Sequence, residues 1–351
     1  MKIKSVDIYS DIDFFGFQHA NQMLAKELSE QNVKVNFYHR IVLNYPSYKN
    51  IKRMIKEKIF FKKTATANPN VSADINIKKI INFPSPNVFF DKLNAILISL
   101  QIGNVSDNVI TFCPSKSLSD IFSKYKNIIY YCVHDSENQK YSDRHKRYEK
   151  LLLEEADFIF CDNEVVLNKL NLNFSNILSE VKGERVFLVP APIPKEFFKK
   201  VDVEKKYDFV YFGSIHKDTD IEVFHYLSSR GYTTLNISNT KLNINGVENI
   251  DASFDLNYLC LNINKARNIL LPYKNNTFME TITPAKIYQS IATKLPVYTS
   301  NINLADKYKL HFIDVNSKTD IADIADIADI ADISCYCVDN VFRDFSNKYL
   351  C

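Results

Sequence analysis

Residues 281–297, T-I-T-P-A-K-I-Y-Q-S-I-A-T-K-L-P-V, constrain this chain more than any other stretch. Thr281 or Thr283 suits a helix cap, and Pro284 suits the first turn. Ile287, Ile291 and Tyr288 then recur at helical spacing. Lys294-Leu295-Pro296 breaks the pattern, and 296–299 reads as a strand. Upstream, the apolar run 268–273 reads as a strand that ends in a loop. Strand, loop, helix and strand in this order imply a parallel α/β sheet. A helix that starts just past a strand's carboxyl end presents free backbone N–H groups to an anion. Lys286 falls in the first turn, where the helix dipole disfavours a cation unless a phosphate docks there. The same pattern also suits an ordinary sheet-packing helix with a solvated lysine.

The segment P-x-K-[IL]-Y-[EQ]-x-[IL]-A-x-x-x-P-V resembles the donor-site segment of GT-B glycosyltransferases, in particular the bacterial family 4 type that builds capsular and cell-wall polysaccharides. The resemblance implies an α/β GT-B fold, with two Rossmann-like domains whose parallel sheets face each other across a cleft. It also implies a helix that holds the diphosphate and ribose of a nucleotide sugar, through Thr283, Pro284, Lys286 and Gln289. The family has carboxylates at the positions of Gln289 and Thr281; Glu280 lies one step out of register.

At 351 residues the chain is long enough for about two domains. The apolar fraction of 46% supplies two packed cores, and a net charge of +3 is too small to make nucleic acid the partner. The seven cysteines are scattered and lack metal-ligand spacing, which favours buried free thiols in a reducing compartment. The start of the chain leads directly into a strand, and no apolar run approaches the length of about 18 residues that a spanning helix needs. The expected location is cytoplasmic, with peripheral attachment to the inner face of the membrane as an option. Abundant Ile, Lys and Asn point to AT-rich bacterial coding.

In chain order, 6–9 reads as a strand, 17–30 as an amphipathic helix and 33–38 as a second strand, with Gly16 in the intervening loop. The opening is similar to the GT-B start, and it equally suits a plain tight turn. Residues 49–63 carry Lys49, Lys52, Arg53, Lys56, Lys58, Lys62 and Lys63 among large apolar side chains. That composition fits an anionic membrane surface, and also a solvated helix or loop. Residues 80–83, 109–112 and 127–133 read as strands, and 88–100 and 117–124 as helices. His134 and Asp135 follow the last of those strands, at the end of the sheet where ligands bind. The segment Tyr131 to Asp135 resembles a Y-x-x-x-D motif of related transferases, which implies a place in the acceptor cleft and in catalysis; a loop hydrogen bond between His134 and Asp135 is the alternative.

Residues 148–157, the strand after them and the run to Pro190 resemble the family's approach to its interdomain linker. Three prolines between 190 and 194 predict a stiff extended connection over 190–203. The domains are then 1–192, on the acceptor side, and 193–337, which binds the nucleotide sugar. A last helix over 338–350 is expected, with 338–351 available to cross back to the first domain. The strand 207–213 ends at Gly213, which lets a phosphate approach the backbone. Ser214 follows, and the resemblance makes Lys217 the second diphosphate ligand. Further strands are read at 233–237 and 311–315. Residues 320–333 are (DIA)4-DI, whose period of three drifts around a helix of about 3.6 residues per turn. It reads as a length-tolerant surface helix and not as a site.

The resemblance implies transfer of a sugar from a nucleoside diphosphate to a hydroxyl of a glycan or lipid-linked glycan, of hexosyltransferase type with retention. With no D-x-D metal motif in a suitable place, no metal and no cofactor is expected. Lys286, Lys217 and a helix N-terminus would then meet the diphosphate charge. Two rivals remain: a nucleotide-sugar epimerase of the same fold, and a non-catalytic GT-B subunit of a transferase complex.

Overall fold

The computed structural model describes residues 4–15, 18–43, 75–84, 87–133, 143–162, 164–173, 185–276, 285–316, 333–343 and 345. The chain forms two compact units, Met1–Pro192 together with Val341–Cys351, and Ile193–Asn340.

The first unit is a seven-stranded sheet in the order β3-β2-β1-β4-β5-β6-β7. Its strands are β1 Ser5–Tyr9, β2 Lys34–His39, β3 Ile75–Lys79, β4 Asn108–Thr111, β5 Asn127–Cys132, β6 Phe158–Cys161 and β7 Val186–Leu188. Every neighbouring pair is parallel. The connections carry α1 Ala20–Glu30, α2 Val88–Gln101, α3 Lys116–Phe122, α4 Asp143–Glu155 and α5 Glu164–Asn173. Strands that are covered on both faces read as apolar runs, and Val109, Ile110, Ile129, Ile159 and Phe160 are all fully buried.

The second unit is a six-stranded parallel sheet in the order β10-β9-β8-β11-β12-β13. It is made of β8 Tyr207–Phe212, β9 Thr234–Ile237, β10 Val247–Ile250, β11 Ala266–Leu271, β12 Val297–Thr299 and β13 His311–Phe312, with α6 Glu222–Ser229, α7 Leu256–Ile263, α8 Ala285–Ala292 and α9 Ile302–Tyr308. One core packs Val210, Phe212, Ile269 and Leu271 against Ile287 and Ile291 of α8 and Ile263 of α7. A second packs Phe209, Tyr211 and Leu270 against Val223, Phe224 and Leu227 of α6.

Two expectations are corrected. The strand expected at 80–83 lies earlier, at Ile75–Lys79, on the edge of the sheet. An edge strand has only one neighbour to pair with and is open to solvent along its free side, and Lys78 and Lys79 stand exposed in it. The stretch 190–203 is not extended throughout: Lys195–Phe198 form a 3-10 turn, and buried Phe197 packs against the core of the second unit, 6.1 Å from the Phe212 ring. Ile193 also bridges in parallel to Cys337. The final helix is described over Val338–Phe342. From Val341 the chain counts with the first unit, where the Gln31 amide donates to the Phe342 carbonyl oxygen at 2.8 Å.

Cys113, Cys132, Cys161 and Cys260 are buried free thiols. Burial pushes Cys161 and Cys260 up to about 12, which leaves them poor nucleophiles. No helix among the described residues is long and apolar enough to cross a membrane. Gly16, residues 49–63, His134, Asp135 and the repeat up to Asp332 lie outside the described residues; Ile333, at the end of the repeat, is buried in the core of the second unit that holds Val210 and Ile287.

Candidate functional site

In the second unit the strand order turns back at β8. From there β9 and β10 extend to one side, and β11, β12 and β13 to the other. The crevice outside the carboxyl ends of β8 and β11 is the topological switch point, where ligands bind in open α/β sheets. Gly213 follows β8 directly, and α8 follows β11 by way of 272–284. The two segments that carry the strongest motifs therefore converge there.

Gly213 stands at φ +124°, a conformation that L residues rarely adopt, and its N–H continues the ladder to the Ile237 carbonyl at 3.0 Å. A Cβ built on Gly213 would lie 1.9 Å from the Lys286 Nζ and 2.2 Å from its Cε. The missing side chain is the space that the lysine head occupies. Lys286 reaches it from the first turn of α8, while Ile287 and Ile291 pin the helix to the sheet. The ammonium also lies 5.5 Å from the ring centroid of Tyr211, a cation–π contact. Tyr211 is itself fixed, because its hydroxyl donates to the Ser214 carbonyl oxygen at 2.6 Å. Among the described residues no carboxylate pairs with Lys286. Loss of hydration lowers its pKa from 10.5 to about 8. A cation held this way gains most from an arriving anion.

Around this point the loops at the strand ends are tied to one another. The Asp220 N–H donates to the Pro272 carbonyl at 2.7 Å, and the Lys274 N–H to the Asp218 carbonyl at 3.0 Å. The buried Asp218 carboxylate accepts from the Asn276 amide at 3.1 Å, and the Asp218 N–H donates to His216 Nδ1 at 3.2 Å. On the other side, the Asn301 amide donates to the Lys274 carbonyl at 2.9 Å, and Ser300 Oγ to the Tyr273 carbonyl at 3.1 Å. The result is a stiff rim built on regular elements, which suits a site that must hold its geometry.

The structure therefore brings Gly213 and Lys286 together and places Ser214 at the lip of the same turn. Lys217 is exposed in that turn, where its carbonyl accepts from Lys274 Nζ at 3.0 Å. Gln289 lies one turn after Lys286 on α8 and is half-buried. Thr281, Thr283 and Pro284 lie outside the described residues, as do His134 and Asp135. The tethers Asp218, Asn276 and Asn301 escaped the sequence reading. Their only signal is a density of Asn and Asp after strands, which is also ordinary turn chemistry. Among the described residues no group of His, Cys, Asp and Glu has the makeup of a metal site.

No family model matches the sequence, and no curated protein matches it either. Solved structures do match. Sucrose-phosphate synthase from Thermosynechococcus elongatus superposes with a TM-score of 0.58 over 90% of this chain and 86% of that one, at 10% identity. A glycosyltransferase from Rickettsia africae ESF-5 superposes with a TM-score of 0.56 over 90% and 85%, at 12% identity. Anabaena HepE, in complex with UDP and glucose, gives a TM-score of 0.51 over 84% and 80%, at 8% identity. With two parallel sheets, the switch-point crevice and likeness to these proteins over most of each chain, the chain has the GT-B glycosyltransferase fold.

Proposed function

We propose that the protein is a glycosyltransferase that moves a sugar from a nucleoside-diphosphate donor to a hydroxyl of a glycan or lipid-linked glycan in surface polysaccharide synthesis. One observation carries this reading: the Lys286 ammonium, without an acid partner among the described residues, is seated on the backbone of Gly213 at the switch point. A group placed there meets the charge that grows on a departing diphosphate, and it needs no reorganisation to do so. Electrostatic stabilisation by Lys286 and the backbone N–H groups at the start of α8 then takes the place of a bound divalent ion. The absent side chain at Gly213 makes room for the lysine head that meets the phosphate, and the reading assigns the ribose to Gln289. On the acceptor side the reading assigns His134 and Asp135. Retention of configuration is part of the proposal by resemblance alone.

The second reading, a non-catalytic GT-B subunit, is favoured by one feature. Gln289 stands where the resembling enzymes carry a carboxylate. A panel of nucleotide sugars, incubated with the full chain and a lipid extract with and without EDTA, separates the two. Release of nucleoside diphosphate that survives EDTA is the expected result. Binding of nucleotide without release, across the whole panel, favours the subunit. Release that EDTA abolishes and Mn²⁺ restores overturns the metal-free chemistry.

A further inference from the structure

Strand β8 sends alternate side chains to opposite faces of its sheet. Val210 and Phe212 pack in the core that holds Ile287 and Ile291 of α8, while Phe209 and Tyr211 pack in the core that holds α6. Lys286 belongs to α8, yet its ammonium lies 5.5 Å from the centroid of the Tyr211 ring. The lysine therefore crosses the end of β8 to reach a ring that belongs to the far face. Its path is the space that a side chain at Gly213 would fill, because a Cβ built there would clash with both Nζ and Cε of Lys286.

The ring is fixed from two sides. Tyr211 is fully buried, and the Phe224 ring of α6 meets it edge-on, with centroids 5.8 Å apart. Its hydroxyl donates to the Ser214 carbonyl at 2.6 Å, so the bond spans Gly213. Gly213 stands at φ +124°, and this bond braces that kink. The turn beyond is closed by its own bonds. The His216 N–H donates to Thr219 Oγ1 at 3.1 Å, and the Thr219 N–H to the His216 carbonyl at 3.0 Å. A lysine stem is long and flexible, and an ammonium without an acid partner has little to hold it in one place. The ring supplies that hold, since the attraction between a cation and a π face strengthens as water is removed.

We propose that Tyr211 is a positioning residue of the diphosphate site: its ring seats the Lys286 ammonium, and its hydroxyl holds the Gly213 kink past which the lysine reaches. The inference rests on the reading of this crevice as the site of a nucleoside diphosphate, and it deepens that reading. The two roles are separable. Loss of the hydroxyl loosens the turn after β8 and leaves the ring in place. Loss of the ring frees the lysine head. Both effects reach the ligand through Lys286, so they vanish when the lysine is absent.

The test combines amide hydrogen exchange with calorimetric binding of UDP, on the full chain. Tyr211→Phe keeps the ring in the core, so its melting temperature should stay within a few degrees of wild type. Exchange over residues 213–219 should speed up by about threefold or more, while the rest of β8 keeps its protection. UDP affinity should fall by up to about tenfold. Tyr211→Leu removes the ring as well, and affinity should fall by about tenfold again. In a Lys286→Met background the same Leu substitution should change affinity by less than about twofold, because the residue it acts through is gone. Should Tyr211→Leu fail to fold, the same cycle with Tyr211→Phe decides. A merely structural role would lower affinity equally in both backgrounds. Equal losses therefore overturn the inference and leave the diphosphate site standing. So does exchange over 213–219 that Tyr211→Phe leaves unchanged. A wild type that does not bind UDP overturns the diphosphate site itself, and this inference with it.

Discussion

Asp7 in the first unit and Lys286 in the second are both charges withdrawn from water, and the chain treats them in opposite ways. Asp7, on β1, is 0% exposed. Its carboxylate accepts from the Asn36 amide and the Ser106 hydroxyl, each at 2.7 Å, from the Tyr125 hydroxyl at 2.8 Å and from the Ser106 N–H at 3.4 Å. Tyr9 extends the network, with its hydroxyl 2.8 Å from that of Tyr125. Every strong acceptor position is answered from within the fold. The head of Lys286 is enclosed by Gly213 and Tyr211 and has no anion among the described residues. A buried charge that the fold satisfies itself is an element of structure. A desolvated charge that the fold leaves open is held ready for something that arrives.

The comparison breaks most visibly through Asp7. Asp7→Ala leaves Asn36, Ser106 and Tyr125 with buried donors and no acceptor. Removing the acceptor of several charge-assisted bonds should cost about 3–5 kcal/mol of stability. Chemical denaturation should show the loss in the first unit. A cost below about 1 kcal/mol would mean that the network is slack and the contrast with Lys286 is false.

Lys286→Met should separate stability from function. The lysine's pKa falls from 10.5 unfolded to about 8 folded, so between those values the unfolded chain binds more protons. Stability contributed by this group therefore rises as pH climbs from about 8 towards 10.5, and at pH 7 the charged side chain carries its full penalty. Replacing it with an uncharged side chain of similar shape should hold or raise the melting temperature by a few degrees. Turnover should fall by about 10²–10³-fold, as for the loss of one preorganised charge-stabilising group. A variant that loses stability in step with activity would make Lys286 a structural residue like Asp7.

How much of this was legible depends on where the chain keeps its signals. Gly213 and Lys286 could be read because each breaks a local rule. A glycine at the very end of an apolar strand and a cation in the first turn of a helix both run against local preference, and conflicts of this kind concentrate at functional sites. The parallel sheets followed from short apolar runs that alternate with helical patterns. Two of the edge strands did not follow. β10, V-E-N-I, and β3, I-N-I-K-K, are short and half polar, and each lies at the edge of its sheet with little of it buried. Residues 80–83 were read as a strand because Ile80, Ile81 and Phe83 look like one, but side-chain amides from α2 hold that backbone in place of a ladder. The inverted face of α2, where Phe89, Ile96 and Leu100 are exposed, was equally hidden. Its apolar count reads as a core helix, and only the hydrogen bonds of Asp91, Asn94 and Gln101 show which side is inward. Asp7 gave no sign at all, because its donors come from β2 and from segments about 100 residues further along the chain.

The finest test of the contrast is the pH dependence of nucleotide binding. Lys286 titrates in the free protein at about 8, whereas the Tyr211 beside it is pushed up to about 12 by burial and stays neutral across the accessible range. The terminal phosphate of a nucleoside diphosphate, with a pKa of about 6, is fully ionised above pH 7.5. Between pH 7.5 and 9.5, then, the lysine is the group in direct contact with the ligand whose charge changes. Affinity for UDP, measured by calorimetry, should be level below pH 8 and should fall by up to about tenfold per pH unit above it, because binding must first return a proton to the lysine. The sign follows from the ligand's preference for the charged form. A bound diphosphate raises the lysine's pKa, so protons are taken up on binding, and the heat of binding should vary with the ionisation enthalpy of the buffer. In Lys286→Arg the cation stays charged over the whole range, and the profile should flatten even if the longer head binds less tightly. A wild-type profile that is flat through pH 9.5, with no proton uptake, would show that the ligand avoids Lys286, and the open charge would then need another explanation.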